Sequence, residues 1–322
     1  MTSGKERALR EASDRGDIDA ALDLASLLED RGETAEAIAE YRKLDAKGVL
    51  NGTGNLARLL KETGATEEAE EAFKRCADAG SERADAQYIA LRVQRGAATH
   101  EEIIRLVAVW ARHVDHLQPG HLPPQDQWTP AQYDAFVMID DISDLWANNS
   151  GNFPILESIC DRDAVVAGLH AADGKGSPAA AHELGTYFQG RGDLADASRS
   201  FERAAEHGWK SALYEAGVAR YQAKDLHGAL DIAKRAADQE VFGGLFLVGV
   251  IQRQLKNNQE AMSAWMDADR AGDARASFEL GKLMAWLAEQ AGSNDLGAAQ
   301  PYLEKAAAAG ISEAQELLDR FR

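Results

Sequence analysis

The feature that most constrains this chain is a helix–turn–helix pattern that recurs at a fixed interval. Its clearest copy spans residues 182–208, where apolar residues at helical spacing are interrupted by Gly190–Asp193 and closed by Gly208. Glycine tolerates the positive backbone angle that ends a helix, so this segment predicts two short helices, with Asp193 as the N-cap of the second. One such hairpin cannot bury its own apolar face. The chain is therefore predicted to stack several copies.

Glycines keep the copies in phase along most of the chain. Those that fall 32 residues apart are Gly32 and Gly64, Gly48 and Gly80, and Gly185, Gly217 and Gly249. About seven hairpins are predicted on this spacing. A lone helix over residues 5–15 precedes them, and an amphipathic helix over 312–321 follows them as a cap with a charged outer face.

The middle of the chain breaks this register. Six of the seven prolines fall between Pro119 and Pro178, and proline does not fit inside helices. We therefore predict three parts: repeats over 1–112, an irregular helical section with a loop and a degenerate helical pair over 113–177, and repeats over 178–322. Thr129 followed by proline is a favourable helix start within the irregular section.

The residues of the hairpins resemble the tetratricopeptide family and, in two copies, its Sel1-like branch. The pattern is carried by Leu184-Gly185 in a first helix and by Ala197, Phe201 and Ala204 in the following helix. The Sel1-like character lies in the ending Ala-Ala-x-x-Gly, found before Gly208 and again at the end of the last hairpin. The step of 32 residues is shorter than the usual tetratricopeptide period of about 34. The resemblance implies binding of a protein or peptide and supplies no catalytic residue.

The predicted fold is therefore all-α: a right-handed superhelical solenoid of about seven hairpins with an irregular helical middle section. The net charge of -18 argues against partners that carry phosphate, both nucleic acids and anionic membrane surfaces. The first residues lack the apolar core of a signal peptide, and the longest apolar run, Val241–Ile251, is too short to span a bilayer. We expect a cytoplasmic protein.

In a stack of such hairpins the first helices line a concave groove. Their side chains that face away from the core are aromatic and basic, although the chain as a whole is acidic. We predict that this groove binds an acidic or C-terminal peptide, with arginine and lysine holding its charge and aromatic rings packing against it. The alternative is that some of these rings belong to the core between repeats. The predicted groove residues are His182, Gln189, Tyr214, Tyr221, Phe246, Arg253, Arg275, Phe278 and Lys282.

Two weaker candidate sites lie in the middle section. His113, His116 and His121 have a spacing that could bind a transition metal, although a solvated loop that contains histidine is the favoured interpretation. Asp140 and Asp144 share one helical face and could bind a cation or act in acid–base chemistry. The polar face of an amphipathic helix explains them more simply.

These observations favour a non-catalytic scaffold or adaptor without a cofactor, which captures a protein or peptide in its groove. Two alternatives remain open: a regulatory sensor whose shape responds to a peptide, and an enzyme with a metal or carboxylate site in the middle section. Self-association through Tyr133, Phe136 and Trp146 of the middle helix is a further possibility.

Overall fold

The computed structural model describes residues 4–117, 127–129, 131–133, 135–136, 162–290 and 297–320. Within these residues every regular element is a helix, so the predicted all-α fold is confirmed. The chain divides into two compact units, Met1–Ala171 (unit 1) and Ala172–Arg322 (unit 2). None of the described helices is both long enough and apolar enough to cross a membrane.

Eight helices with described bounds begin in unit 1. They are α1 (Gly4–Asp14), α2 (Ile18–Asp30), α3 (Thr34–Ala46), α4 (Leu50–Glu62), α5 (Thr66–Asp78), α6 (Glu82–Gln94), α7 (His100–Leu117) and α8 (Arg162–Asp173). Helices α2 to α7 form three consecutive hairpins. The sequence of α7 fits the repeat pattern poorly, yet it forms a helix of 18 residues that buries Ile103, Leu106 and Trp110. It continues to Leu117, past residue 112.

Unit 2 contains the other described helices. They are α9 (Pro178–Arg191), α10 (Leu194–Glu206), α11 (Ala212–Gln222), α12 (Leu226–Asp238), α13 (Gly244–Gln254), α14 (Asn258–Arg270), α15 (Ala274–Gln290), a 3-10 turn (Gly297–Ala299), α16 (Gln300–Ala308) and α17 (Ser312–Arg320). Helices α9 to α16 form four hairpins, and α17 packs on the last of them. The described residues thus hold seven hairpins, as the sequence predicted.

Glycine ends the first helix of the opening hairpin of unit 2, but only one of the two predicted glycines does so. Gly192 takes a φ of 80°, whereas Gly190 lies inside α9. Asp193 precedes α10 as predicted, but its side chain accepts no capping hydrogen bond there and instead contacts Arg191 at 3.4 Å. The turn therefore depends on the backbone freedom of Gly192 rather than on a side-chain cap.

In several hairpins of unit 2 a glycine on the first helix meets a large side chain on the second helix. A Cβ added at Gly185 would lie 2.6 Å from the ring of Phe201, which is too close for any side chain. A Cβ at Gly249 would overlap the fully buried indole of Trp265. Glycine is needed at these positions because it lets the two helices approach around a large ring.

The middle section is described only in part. Thr129 and Gln132 cap each other: the Gln132 side chain accepts from the Thr129 backbone N–H at 2.9 Å, and the Thr129 hydroxyl accepts from the Gln132 N–H at 3.3 Å. This reciprocal box confirms the predicted helix start. Tyr133 and Phe136 lie on the helix that follows and are exposed, whereas Trp146 lies outside the described residues.

Candidate partner-binding face

Unit 2 presents one aromatic ring from the first helix of each of its four hairpins. These rings lie 32 residues apart and are half-buried, which places them at the margin between core and surface. They are His182 on α9, Tyr214 on α11, Phe246 on α13 and Phe278 on α15. We call the surface that they share with the neighbouring side chains of these helices the first-helix face of unit 2.

Arg275 is the centre of the most tightly packed part of this face. Its guanidinium lies 4.5 Å from the ring centre of Phe246 and 5.5 Å from that of Phe242, and its Nη1 donates to the Tyr214 hydroxyl at 3.2 Å. The buried carboxylate of Asp273 accepts from Nε at 2.8 Å and from Nη2 at 2.6 Å. This bidentate hydrogen bonding raises the pKa of Arg275 above its ordinary value.

The structure thus gives Arg275 a partner that the sequence did not suggest. Because the carboxylate of Asp273 already compensates the charge of Arg275, the guanidinium chiefly holds the surrounding rings in place. The sequence prediction also missed Phe242, whose side chain is 69% exposed. Phe242 stands in a tight turn, between Glu240 at a φ of 57° and Gly243 at a φ of 87°. A large aromatic inside such a turn was the signal that could have identified it.

Arg253 lies at the other end of α13, seven residues or about 10 Å from Phe246 along the helix axis. Its guanidinium lies 5.8 Å from the ring of Trp286, which is exposed and was not predicted, and it donates to the Asn258 side chain at 2.6 Å. Among the described residues no carboxylate comes within ion-pair distance of this guanidinium. Tyr221 occupies the equivalent position on α11 and is half-buried.

The other predicted groove residues lie on the same helices but pair with their neighbours. Lys282 contacts the Phe278 ring at 5.0 Å and forms an ion pair of 2.5 Å with Glu279. Gln189 donates to Gln222 of the next first helix at 3.2 Å. The Gln189–Gln222 contact joins adjacent hairpins, whereas the contacts of Lys282 stay within α15. Both leave fewer polar groups available to a partner.

His182 lies in a different environment from the three later rings of the row. Its ring stacks on Trp209 at 4.6 Å with an interplanar angle of 7°, and it lies 5.3 Å from Phe201. Its Nε2 lies 3.3 Å from Oε1 of Glu215, and its Nδ1 is 4.0 Å from Oε1 of Glu183. The Nδ1 atom of His182 and the Oε2 atom of Glu215 are both buried without a hydrogen-bond partner in the described part of the chain.

The charges of this cluster shift each other's protonation. Burial raises the pKa of Glu183 to about 7, against the opposing charge of His182 and with the added repulsion of Glu215. Burial lowers the pKa of His182, but the hydrogen bond with Glu215 and the charges of both carboxylates outweigh it, so the pKa of His182 lies above its ordinary value. The cluster therefore contains an imidazole and a carboxyl group whose pKa values are both raised.

Two of the three histidines predicted as metal candidates lie near the end of α7. His113 lies with its Nδ1 2.7 Å from the carbonyl oxygen of Val109, and His116 is exposed in the last turn of α7. His121, Asp140 and Asp144 lie outside the described residues. Over the residues that are described, no group of three or more His, Cys, Asp or Glu side chains is arranged to hold a metal ion.

No protein-family model matches the chain, and no curated protein matches it. Among solved structures, it is similar to a Sel1 repeat protein from Oxalobacter formigenes at 21% identity, with a TM-score of 0.46 and coverage of 100% of this chain and 91% of the other. A protective antigen of uropathogenic Escherichia coli with an SLR fold matches at 20% identity and a TM-score of 0.40, over 95% of this chain and 72% of the antigen.

A third similar structure is the C-terminal part of a TPR repeat-containing protein from Cytophaga hutchinsonii. The identity is 13% and the TM-score 0.43, over 91% of this chain and 97% of the other. These likenesses concern the fold. The seven hairpins described above have the helical-hairpin repeat architecture that the sequence resemblance implied.

Proposed function

We propose that this chain is a non-catalytic scaffold that binds another protein by taking up a peptide segment on the first-helix face of unit 2. The observation that carries the proposal is the row of four rings at one repeat position, reinforced by Phe242 and Trp286 beside it. Aromatic and arginine side chains contribute most of the binding energy in protein interfaces. A row with one ring per hairpin suits an extended segment whose side chains fall between successive rings.

The charge of the face supports a peptide with an acidic side chain or a terminal carboxylate near α13. Of the three predicted cations, Arg275 is paired with Asp273 and Lys282 with Glu279, whereas the partners of Arg253 within the described ranges are a neutral amide and an aromatic ring. A guanidinium that stacks on a ring keeps its remaining N–H groups directed outwards and can bind a carboxylate through two parallel hydrogen bonds. Arg253 is therefore the proposed anchor, and Arg275 the residue that positions the aromatic rings.

Selection from a displayed library of random peptides tests this proposal with the full chain as bait. We expect the selected peptides to combine an apolar or aromatic residue with an acidic residue or a free carboxyl terminus. Arg253→Glu should weaken the best of them by at least about tenfold, since it places like charges together. The matched control is Arg199→Glu, an exposed arginine on the second helix α10 that pairs with Asp196. Peptides without an acid, or equal effects of the two variants, would contradict the proposal.

A further inference from the structure

We propose that the acidic part of the bound segment is an internal run of two or three acidic side chains that lies across the turns after α11 and α13. The residues that receive it, which we call the cationic turn surface, are Lys224, Lys256, Arg253, Tyr221 and Trp286. The inference rests on the proposed function, because it specifies the acidic group that the partner presents to Arg253. It favours a run of acidic side chains over a terminal carboxylate.

The two lysines occupy backbone positions at which other hairpins have glycine. Lys224 and Lys256 lie 32 residues apart and take φ values of 64° and 67°. The equivalent residues are Gly192 in the preceding hairpin and Gly64 and Gly96 in unit 1. This region of backbone space strains any residue with a Cβ, and the short polar side chains that tolerate it best do not include lysine. Residues strained in this way cluster at functional sites, so their recurrence indicates a use for the two ammonium groups.

The dipole of the first helices does not account for these lysines. Basic side chains near the C-terminus of a helix interact favourably with its dipole. A residue inside the last turn supplies that charge at an ordinary φ, as Arg220 does in α11 and Arg253 does in α13. A lysine at the left-handed position beyond the helix therefore adds a cation that the helix end does not require.

The cations of this surface lack acidic neighbours to neutralise them. Over the residues that the structure describes, none of Lys224, Arg253 and Lys256 lies within ion-pair distance of a carboxylate. Asp225 follows Lys224 in sequence, but its carboxylate pairs with Arg220 at 2.9 Å. Three unneutralised cations on two neighbouring turns contrast with the net charge of -18 of the whole chain.

The residue that precedes each second helix changes its charge at the same place. It is Asp193 in the first hairpin of unit 2 and Asp225 in the second, and each carboxylate pairs with an arginine of its own hairpin. In the third hairpin it is the neutral Asn257, so Arg253 finds no carboxylate at this position. The first N–H groups of α14 receive no side-chain cap there and add positive potential to the same turn.

The spacing of the cations suits several acidic side chains better than one anion. Because α11 and α13 are in contact, Lys224 and Lys256 are separated by about one helix spacing, or about 8–10 Å. Alternate side chains of an extended segment lie about 7 Å apart, and flexible lysine stems cover the difference. The rings of Tyr221 and Trp286 hold Lys224 and Arg253 against the surface. A single carboxylate would contact the cations of one turn, whereas an acidic run contacts both turns.

The indole N–H resonance of Trp286 reports on this surface, because its ring lies 5.8 Å from the guanidinium of Arg253. The full chain is labelled with nitrogen-15, and the resonance is assigned with Trp286→Phe. The probes are peptides Leu-Phe-Gly-Ser-X-Ser-Gly with acetylated and amidated ends, in which X is Glu-Glu-Glu, Gln-Glu-Gln or Gln-phosphoserine-Gln. A further probe has X as Gln-Gln-Gln and a free carboxyl terminus. We expect the three-glutamate peptide to bind about tenfold more tightly than each of the other probes.

Replacing both lysines by glycine separates a binding role from a structural one. Lys224→Gly/Lys256→Gly should weaken the three-glutamate peptide by about tenfold and the one-glutamate peptide by less than about twofold. The same variant should raise the free energy of unfolding, because glycine relieves the backbone strain. The matched control is Lys210→Gln/Lys234→Gln, which removes two exposed lysines outside the surface and should change each affinity by less than about twofold.

Four results would overturn the inference. They are equal affinities of the three-glutamate and one-glutamate peptides, equal losses in the two double variants, tighter binding of the phosphoserine peptide, and tighter binding of the free carboxyl terminus. The peptide selection with Arg253→Glu tests the proposed function separately. If that selection succeeds while the three-glutamate and one-glutamate peptides bind alike, the acidic run alone is wrong. If Arg253→Glu has no effect while the three-glutamate peptide binds through the lysines, the anchor role of Arg253 is wrong and the acidic run stands.

Discussion

The same repeat position carries different side chains in the two units. Gly176 lies five steps of 32 residues after Gly16, so the first three hairpins of unit 2 can be matched position by position to the three hairpins of unit 1. The position that supplies the rings of unit 2 is occupied in unit 1 by Leu22, Gly54 and Ala86. The difference shows that the hairpin scaffold does not require aromatic residues there, because three hairpins form without them. This difference supports the proposal that the rings of unit 2 serve recognition, while Tyr214, Phe246 and Phe278 also pack against the core clusters of their hairpins.

The two units also differ in how the charged side chains of their first helices are paired. In unit 1, Arg58 pairs with Glu29 of the preceding first helix at 2.5 Å, and Lys61 donates to Gln87 of the following one at 2.9 Å. The charged and polar side chains of the first helices of unit 1 therefore pair with one another. In unit 2, Arg253 has no such carboxylate among the described residues. A surface whose charged side chains already form ion pairs has fewer unpaired charges that can bind a partner.

The turns differ as well. In the described residues of unit 1, every residue with positive φ is a glycine. In unit 2, Lys224, Glu240 and Lys256 take φ values of 64°, 57° and 67°. Side chains in this region cost free energy because Cβ crowds the backbone. Unit 2 therefore carries strain next to the first-helix face that unit 1 avoids, which is common where function competes with stability.

The largest effect on stability is expected where the two units use different small residues at one core position. Gly249→Ala should lower the free energy of unfolding by about 1–3 kcal/mol, because the added methyl overlaps the ring of Trp265. Unit 1 already has Ala57 at this position, opposite Phe73. Denaturant unfolding measures the change. The control is Gly190→Ala, where nothing lies within 4 Å and a gain of about 1 kcal/mol is expected. Equal losses would refute the packing argument.

A loss of stability of similar size is expected when Arg275, which positions the aromatic rings, is replaced. Arg275→Met keeps the apolar stem but leaves the buried carboxylate of Asp273 without its main donor, so it should cost about 1–3 kcal/mol. Arg42→Met in unit 1 removes an arginine whose pair with Glu68 is exposed on both sides, and should cost about 0.5 kcal/mol or less. Chemical denaturation of both variants tests the contrast, which fails if the two losses are alike.

The stability of unit 2 should depend on pH more strongly than that of unit 1. The pKa of Glu183 is raised to about 7 from an ordinary value of 4.5, so the folded state binds more protons than the unfolded state between these values. Stability therefore falls as the pH rises through this window, and the raised pKa of His182 adds a loss of the same sign. We expect a decrease of about 1–2 kcal/mol between pH 5 and pH 8.

Glu183→Gln isolates this contribution, because it removes the titrating group and keeps its size. Its stability should vary less with pH than that of the native chain over the same range, as measured by urea unfolding at several pH values. A matched carboxylate in unit 1 is Glu68, which is half-exposed and ion-paired with Arg42. Glu68→Gln is the control for removing a carboxylate that lies outside the cluster. An unaltered slope in Glu183→Gln would show that the cluster does not control the pH response.

The smallest effect is expected at the turns. Lys256→Gly should raise the free energy of unfolding by about 0.5–1 kcal/mol, since glycine adopts the φ of 67° without strain. The reverse change in unit 1, Gly64→Ala, places a side chain at a φ of 81° and should cost about 1 kcal/mol. Thermal unfolding distinguishes the two signs. A loss in both variants would mean that Lys256 makes a stabilising contact that outweighs its backbone strain.

The sequence predicted the fold well because the signals that define it are local. A turn glycine such as Gly64, followed by small and large residues at helical spacing, specifies a hairpin wherever it recurs. The row of rings was predictable for the same reason, as each ring recurs once per hairpin. The irregular second helix of the third hairpin was harder to anticipate: α7 has Glu101 and Arg105 at the repeat positions of Ala37 and Tyr41, and it forms through a broader apolar face that includes Trp110.

The partners of the predicted site residues were not predictable, since they lie on other elements. Asp273 reaches Arg275 through a bidentate contact around the start of α15, and Phe242 approaches the same guanidinium from a turn. Trp209 stacks on His182 from the turn before α11. Such contacts depend on side-chain directions at turns, which no periodicity encodes. Glu183 and Glu215 were likewise hidden, because a carboxylate on a helix looks like part of a solvated face until its burial is known.

Unit 2 is proposed to be the part of the chain that binds the partner, and one affinity measurement tests this proposal most directly. Fluorescence anisotropy of the best selected peptide would compare the native full chain with Tyr214→Ala/Phe246→Ala in unit 2 and with Arg58→Ala/Lys61→Ala on the matching helix α4 of unit 1. We predict that the unit 2 variant weakens binding by about a hundredfold, or about 2.7 kcal/mol, and that the unit 1 variant changes it by less than about twofold. A loss confined to the unit 1 variant, or equal losses in both, would contradict the account.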